Sequence, residues 1–230
     1  MMTINYDKFN YFSPVSIDEK VWNELLGLGH LKSFAENTQI FSQNQPVKNL
    51  VCLKKGTVKT VHIYPNGNER LFEILDAPSI IGHEALFFTD TVLNPNIITV
   101  TPIETVMIPI YKVEELCKND TNILLSFYKI LRNSLFLSRI QSAGVMYMSL
   151  LQRTAFALQL MCFSKTDEKG YFYITHQDLA NFIGISRANV TICLTQLAKM
   201  KFIDKKRGKI KILNLPGIIN LVGRSVEIDN

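Results

Sequence analysis

Residues 175–199 read THQDLANFIGISRANVTICLTQLAK and carry the most specific pattern in the chain. Thr175 and Ser186 are both suited to cap a helix, because a side-chain oxygen at that position accepts a bond from a free backbone N–H. Gly184 allows the backbone to leave the first helix, and the small Ala180 leaves room for a steep crossing. The predicted helices cover 176–183 and 187–199. This arrangement is typical of a helix-turn-helix that binds nucleic acid.

The second predicted helix has one apolar side and one polar side. We expect the apolar side, with Val190, Cys193, Leu194 and Leu197, to be sealed inside the domain. Arg187 on the other side is suited to paired hydrogen bonds with O6 and N7 of guanine in the major groove. The residues of the two helices that we assign to DNA binding are Thr175, Gln177, Ser186, Arg187, Ala188, Asn189, Thr191 and Ile192. Within that set, Thr191 and Ile192 suit thymine methyl or phosphate contact, and Thr175, Gln177 and Ser186 suit phosphate contact.

A basic hairpin is predicted directly after the second helix. Residues 202–213 contain two β-type runs around a turn that carries Lys205, Lys206 and Arg207. Such a wing can lie along the phosphate backbone and add affinity without reading sequence. We therefore add these three cations to the predicted DNA-binding residues.

The charge of the chain is unevenly distributed. Residues 1–119 carry a balance of −3, residues 120–170 a balance of +3 and residues 171–230 a balance of +5. An acidic first half joined to a basic last quarter is typical of a sensor attached to a module that binds a polyanion. On charge alone, it is an equally good interpretation that the extra cations only make the surface soluble.

Residues 38–110 consist of short β-type runs separated by turn residues. The clearest runs are 50–53, 57–63 and 70–75, and the Asn66-Gly67 pair predicts a tight hairpin. Further strands are expected near 78–82, 96–101 and 103–109. The region is therefore predicted to form a compact β-sandwich or roll.

Helices are predicted on both sides of this β region. Ser16 and Glu19 form a capping box before a short helix over 17–28, and 111–118 form another. From 122 to 148 small and apolar residues step alternately by three and four, which indicates the seam of a dimerisation helix. A single amphipathic core helix is the alternative. The residues assigned to the dimer interface are Leu124, Phe127, Leu131, Ser134, Ser138 and Val145. A second apolar face, expected to pack on the β region, carries Ile123, Ile130, Phe136 and Leu137.

Several classes of protein are excluded by the sequence. No apolar run reaches the about 18 residues that a membrane span needs, and residues 1–14 lack the apolar region of a secretory signal. The four cysteines lie far apart, which favours buried thiols in a reducing cytoplasm over a zinc site or a disulfide framework. None of the four histidines lies beside a nucleophile motif, an HExxH pair or a phosphate-binding loop. We therefore expect that the protein is not an enzyme.

The order of these elements resembles the Crp/Fnr family of bacterial transcription regulators over nearly the whole chain. The local matches are 184–190 with the downstream wing, Gly56 and Gly67 at two turns, and Gly82 where family members begin to hold a phosphate. The resemblance implies an α+β fold with an N-terminal double-stranded β-roll of the cyclic-nucleotide-binding type, a long dimerisation helix and a C-terminal winged helix-turn-helix. The expected boundaries are 1–119, 120–148 and 149–230.

The resemblance also implies a function and partners. It indicates a homodimer in the cytoplasm that binds double-stranded DNA with two-fold related half-sites and changes its affinity on sensing a signal. An activator of this kind would also contact RNA polymerase. The alternative is a dimeric sensor that binds a small molecule and whose DNA binding is weak or lost.

The sequence departs from the family where a cyclic nucleotide would bind. Cyclic-nucleotide-binding members place a Gly-Glu pair and a downstream Arg-Ser around the phosphate, whereas this chain reads Gly82-His83-Glu84 and has no Lys or Arg over 85–106. A buried phosphate without a cation is poorly stabilised, so we expect cyclic AMP not to be the effector. No cysteine precedes Cys52, which argues against the iron–sulfur cluster of oxygen-sensing members. A lone histidine such as His83 is more often structural than a haem ligand, so we expect no cofactor.

An unknown small-molecule effector is therefore expected in the β-roll. An apolar lining formed by Phe72, Ile74, Ile80, Phe87, Phe88 and Ile97 would suit a small, partly aromatic or acidic organic molecule. The residues assigned to effector binding are Arg70, Phe72, Gly82, His83, Glu84, Asn96 and Leu131. Within the family the whole chain most resembles the halorespiration regulators, which sense chlorinated aromatics.

The recognition helix also departs from that of the catabolite activators. Ala188 and Ile192 stand where those proteins carry a Glu and a second Arg. The chain therefore lacks a carboxylate for cytosine and a second side chain for guanine. This predicts a half-site in which Arg187 reads one guanine and Thr191 and Ile192 contact flanking A·T pairs.

Overall fold

The computed structural model describes residues 18–88, 95–163 and 166–223. These residues divide into two compact units whose boundary lies between Leu135 and Phe136, inside one long helix. In the ranges described, no helix is both long enough and apolar enough to cross a membrane.

The first unit is built on two antiparallel sheets of four strands each. Their strand orders are β1-β8-β3-β6 and β2-β7-β4-β5. The strands are β1 (His30–Phe34), β2 (Gln39–Phe41), β3 (Asn49–Lys55), β4 (Thr57–Ile63), β5 (Glu69–Asp76), β6 (Ser79–Ile81), β7 (Asn96–Thr99) and β8 (Ile103–Pro109). The predicted double-stranded β-roll is confirmed.

Strand β3 is buried on both of its faces. Val51 and Leu53 pack between the two sheets, whereas Leu50 and Cys52 on the opposite face pack against the helices. Successive side chains of a strand point to opposite faces, so a strand covered on both sides must be apolar at every position. This explains the unbroken apolar run over 50–53.

Two glycines close the turns on either side of β4. Gly67 has a φ of +80° in the hairpin between β4 and β5, and its N–H donates to the carbonyl of Tyr64 at 2.9 Å. Gly56, with a φ of +88°, lies so close to Pro102 that a Cβ would be 2.4 Å from its carbonyl oxygen. Any larger residue at position 56 would clash with backbone, which explains the Lys55-Gly56 turn.

Three helices cover the β-roll on one side. They are α1 (Glu19–Leu28), α2 (Ile110–Asn119) and the first half of α3 (Thr121–Tyr147). The helix cap predicted at Ser16 lies outside the described residues, and the carboxylate of Asp18 caps α1 instead by accepting from the N–H groups of Lys20 and Val21. Asp is as good a cap as Ser because its oxygen reaches the same free N–H groups.

Strands β1 and β2 were not predicted because their sequences lack the usual signal. Strand β1 lies at a sheet edge, and four of its five residues are exposed, so it shows no alternation of buried and exposed side chains. Strand β2 has three residues and its pairing with β7 shifts register between Gln39 and Phe41. Periodicity over so few residues does not distinguish a strand from a loop.

The second unit contains the end of α3 and the C-terminal domain. Ser149 starts α4 with a capping box that includes Gln152. The remaining elements are α4 (Leu150–Leu160), β9 (Phe172–Tyr173), α5 (His176–Ile183), α6 (Arg187–Lys199), β10 (Ile203–Lys206), β11 (Lys209–Ile212) and α7 (Leu215–Gly223). The two helices of the predicted helix-turn-helix begin and end where the sequence placed them. Strand β9 and helix α7 were not predicted.

Candidate nucleic-acid interface and sensor site

Helices α5 and α6 meet at a tight turn. Gly184 leaves α5 in the left-handed conformation with a φ of 69°, and its N–H donates to the carbonyl of Ala180 at 2.9 Å. The N–H of Ile185 reaches the same carbonyl at 3.2 Å. Ala180 is buried at this point, so the methyl group is the largest side chain that the crossing has to accommodate.

Helix α6 has the two sides that the sequence predicted. Its inner side is buried in the unit through Val190, Cys193, Leu194 and Leu197. Its outer side begins with the exposed Arg187 and continues through Thr191 to Ile192, whose side chain is 57% exposed. Ala188 is exposed as well, and Asn189 at the flank is partly buried. The helix thus presents one cation followed by small and apolar groups.

The residues that cap α5 and α6 differ in whether their hydroxyl proton is free to bind a phosphate. The Thr175 hydroxyl accepts from the N–H of Asp178 at 3.0 Å and donates to the carboxylate of that residue at 2.6 Å. Because both functions are used, the phosphate contact expected of the Thr175 side chain is not supported. Ser186 accepts from the N–H of Asn189 at 3.2 Å and keeps its hydroxyl proton for a phosphate. Gln177 is exposed, and its amide donates to Asn181 at 2.8 Å.

The wing is the antiparallel hairpin of β10 and β11. Lys206 pairs with Lys209 next to the turn, and Lys206 and Arg207 are exposed there. Lys205 is placed differently, because its ammonium group donates to the hydroxyl of Thr195 on α6 at 2.7 Å. Lys205 therefore joins the wing to the recognition helix, a role that its place in the basic run did not predict.

Three lysines of the wing lie close to one aromatic ring. The ammonium groups of Lys206, Lys209 and Lys211 lie 4.7, 5.1 and 5.9 Å from the centre of the Tyr171 ring. Lys209 also forms an ion pair with Asp167 at 2.9 Å, and this bond lowers the pKa of the Asp167 carboxyl to about 2. Stacking on a ring holds ammonium groups in place without neutralising them. The wing therefore keeps an ordered basic surface.

Helix α3 in the first unit presents an exposed apolar stripe that differs from the predicted one. The stripe consists of Leu124, Tyr128, Leu131 and Leu135, each at least 40% exposed. Phe127, assigned to the dimer interface from the sequence, is 2% exposed and packs into the core with Ile123, as that second face was predicted to do. The assignment of Phe127 is wrong because its aromatic side chain fills the roll's own core. Ser134 is partly buried, Ser138 is exposed, and the side chain of Val145 lies outside the described part.

The segment after β6 holds a buried histidine. His83 is 6% exposed in a single turn of 3₁₀ helix that begins after Gly82, and Gly82 has a φ of +85°. Within the described part of the chain neither ring nitrogen of His83 has a hydrogen-bond partner. A buried imidazole normally pairs its polar atoms, so the two ring nitrogens of His83 are free to bind a molecule that enters this segment. No group of three metal-ligating side chains occurs in the described ranges.

Two carboxyl groups interact in this region, Glu84 directly after His83 and Glu73 on β5. Burial, and to a smaller extent the negative charge of Glu84, together raise the pKa of Glu73 to about 7. The side chain of Glu84 is half exposed and lies 3.7 Å from the His83 ring. The electrostatic environment of the site is therefore acidic rather than basic.

Several side chains assigned to the effector have other roles. The oxygen of Asn96 accepts from the side chain of Gln39 and the backbone N–H of Gln43, and its NH2 group donates to the side chain of Gln43, all at 2.7 to 3.0 Å. Arg70 lies half-buried over the ring of Phe72, with its guanidinium carbon 5.8 Å from the ring centre. Asn96 therefore links two segments of the roll, and its assignment to the effector stays a prediction.

The six apolar residues expected to line one pocket do not lie together. Ile80 belongs to the core cluster beside the helices, whereas Ile97 packs between the two sheets. Phe87 and Phe88 are exposed, and Leu131 lies on the α3 stripe. Sequence reasoning missed this because β3 separates two cores that composition alone does not distinguish.

Comparison with known families supports both halves of this geometry. Residues 31–120 match the model of the cyclic nucleotide-binding domain, and residues 152–221 match the model of the Crp-like helix-turn-helix domain. The chain belongs to the Crp/Fnr family of transcription regulators. Members of this family are DNA-binding regulators and not enzymes, and the fold class predicted from the sequence is confirmed.

Related proteins of the Crp/Fnr family match over most of the chain. The global nitrogen regulator of Nostoc sp. is 24% identical over 190 residues, which cover 79% of this chain and 84% of that protein. FixK2 from Bradyrhizobium japonicum superposes with a TM-score of 0.75 at 13% identity, covering 84% and 96% of the two chains. The c-di-GMP responsive regulator CLP of Xanthomonas campestris gives a TM-score of 0.73 at 16% identity, covering 85% and 99%. The resemblance to the halorespiration subgroup stays a prediction.

The acidic site of this Crp/Fnr chain makes its stability dependent on pH. In the folded state Glu73 keeps its proton up to a pH of about 7, whereas in the unfolded chain a Glu loses it near 4.5. The folded state therefore loses stability as pH rises from 4.5 to 7. We expect Glu73→Gln to stabilise the β-roll by about 1–3 kcal/mol at pH 8 and to change little at pH 5. Thermal unfolding at both pH values measures this, and an equal effect at the two would contradict it.

Proposed function

We propose that the chain acts as a homodimer in which Arg187 of each copy reads one guanine of a two-fold related DNA site. The observation that carries this proposal is the orientation of α6. The side of α6 that carries Val190 and Leu194 is completely buried. The opposite side, with Arg187 at the N-terminal end of the helix, therefore faces outward. A guanidinium at the start of a recognition helix can donate two bonds to the O6 and N7 edge of guanine.

The wing supports the same orientation. Lys205 holds β10 against α6 through Thr195, which brings the exposed Lys206 and Arg207 next to the recognition helix. Cations beside a helix that enters the major groove can contact the flanking phosphates and supply affinity that does not depend on sequence. The helix and the wing thus form one DNA-binding surface.

The stripe on α3 supports the homodimer. Leu124, Tyr128, Leu131 and Leu135 step by four, three and four residues, which is the spacing of a two-stranded helical seam. Exposed side chains of this kind in one row are favourably buried against an identical row of a second copy. Two copies would then present two recognition helices, as a two-fold related site requires.

We further propose an effector that is not a cyclic nucleotide. The unpartnered His83 ring lies beside Glu84, and Glu73 adds a further carboxyl group to the same site. With no Lys or Arg over 85–106, a bound phosphate would meet the carboxylate of Glu84 instead of a cation. We expect titration calorimetry with cyclic AMP and with cyclic GMP to give no heat of binding at micromolar concentrations. Micromolar binding of either would contradict this proposal.

Selection of binding sites from random duplex DNA tests the proposed function. We expect a two-fold related site with one fixed guanine in each half and A·T pairs beside it. The TGTGA half-site would contradict the reading by Arg187, because Ala188 and Ile192 lack the groups for the additional base pairs. Failure to enrich any sequence would favour a dimeric sensor without DNA binding.

A further inference from the structure

The hydroxyl of Thr191 is engaged within the protein. It donates to the carbonyl of Arg187 at 3.0 Å, and its oxygen lies 2.9 Å from Nδ1 of His176 at the start of α5. With this proton on the carbonyl, Nδ1 of His176 donates to the hydroxyl oxygen; in the other tautomer the hydroxyl donates to Nδ1 instead, so its single proton is used within the protein in both cases. These two bonds fix the rotamer of Thr191 from two different helices.

The charge state of His176 agrees with this arrangement. Partial burial lowers its pKa below 6.5, and the positive charges of Lys205 and Arg187 lower it further. The imidazole is therefore neutral at pH 7, with one N–H and one bare nitrogen. Nδ1 faces the Thr191 hydroxyl in either tautomer of this neutral ring.

We propose that Thr191 reads thymine through its methyl group and that His176 is the positioning residue that holds its hydroxyl away from the DNA. The Thr191 hydroxyl has no proton left to donate to a base acceptor such as O4 of thymine or N7 of a purine. The exposed methyl group and the neighbouring Ile192, which is 57% exposed, form an apolar contact surface one turn after Arg187. The 5-methyl of thymine is the apolar group that a base pair presents in the major groove.

This inference rests on the proposed major-groove contact of α6 and narrows what that contact recognises. A threonine could otherwise read a base by hydrogen bonding or contact a phosphate. The Arg187 carbonyl and His176 together engage the hydroxyl proton, which removes the first possibility for every base acceptor. His176 thus contributes to specificity without touching the DNA.

Two sets of changes test the inference: removal of the thymine methyl group from the DNA, and removal of the methyl or the hydroxyl group of Thr191 from the protein. The probe is the duplex selected from random DNA, in which each thymine next to the fixed guanine is replaced in turn by uracil. We expect the wild-type protein to bind one uracil duplex about fourfold more weakly, which corresponds to loss of one buried methyl group. Thr191→Val, which keeps the methyl, should retain this discrimination. Thr191→Ser, which keeps the hydroxyl, should lose it.

Variants of His176 separate positioning from folding. His176→Phe keeps a ring without a donor and should lower the thymine-to-uracil discrimination, whereas His176→Asn restores a donor near the place of Nδ1 and should rescue it. Circular dichroism identifies variants that do not fold. Equal binding of thymine and uracil duplexes by the wild-type protein, or discrimination that survives in Thr191→Ser, would overturn the inference while leaving DNA recognition by Arg187 intact. Failure of the wild-type protein to bind any duplex would instead overturn the proposed function.

Discussion

Arg187→Ala should weaken binding to the selected DNA site by about 5- to 150-fold per half-site and relax the preference for guanine at one position. The magnitude corresponds to about 1–3 kcal/mol for a paired hydrogen bond to one base. The fold of α6 should be unaffected, because Arg187 is exposed and the stabilising contacts of this helix come from its buried side. Fluorescence anisotropy against the four duplexes that differ at that position measures both effects.

Lys206→Ala is the matched control for this prediction. Lys206 is also exposed and cationic, but it lies in the wing over the Tyr171 ring and faces no base in our account. Its removal should weaken binding to all four duplexes equally and reduce the dependence on salt by about one phosphate contact. Equal relaxation of base preference in both variants would contradict the assignment of Arg187.

Leu131→Glu should convert the protein into a monomer and lower its affinity for the two-fold related site by at least about 100-fold. A carboxylate in the middle of the α3 stripe would be buried against an apolar partner helix, which is strongly unfavourable. Without the dimer, each half-site binds independently and the gain from linking two recognition helices is lost. Analytical ultracentrifugation measures the mass, and anisotropy with full-site and half-site duplexes measures the affinity.

Leu125→Glu provides the control on the same helix. Leu125 is 49% exposed but lies about a quarter turn away from the stripe, so a charge there stays in water. This variant should remain a dimer and bind the full site as the wild-type protein does. A dimer that tolerates Leu131→Glu would show that the α3 stripe has another role.

The recognition unit was predictable because its elements carry local signals. The caps Thr175 and Ser186, the turn residue Gly184 and the buried side of α6 are all determined by residues within one 25-residue stretch. The strands over 57–63 and 103–109 were equally clear, because turn residues mark their ends.

The contacts between distant segments were not predictable. Lys205 lies in a run of cations, and nothing in that run indicates that its ammonium group binds Thr195 on α6. The link from His176 to Thr191 likewise joins residues 15 positions apart on two helices. Such pairs depend on how the helices cross, which periodicity does not specify.

The heptad assignment on α3 was wrong at Phe127 for a related reason. A helix that contacts two surfaces has two apolar faces, and spacing alone does not say which face meets its own core. Phe127 and Ile123 pack on the β-roll, which leaves Tyr128 and Leu131 on the exposed stripe. The hydrogen bonds of Asn96 were not predictable either, because its partners Gln39 and Gln43 are more than 50 positions away.

Replacement of the fixed guanine by 7-deazaguanine tests the contact of Arg187 with DNA most directly. This base lacks the N7 acceptor but pairs normally, so it removes one of the two bonds that the guanidinium would donate to guanine. We predict that the wild-type protein binds the altered duplex more weakly, whereas Arg187→Ala binds both duplexes equally. An equal loss in the two proteins, or no loss in the wild-type protein at any guanine of the site, would contradict the account.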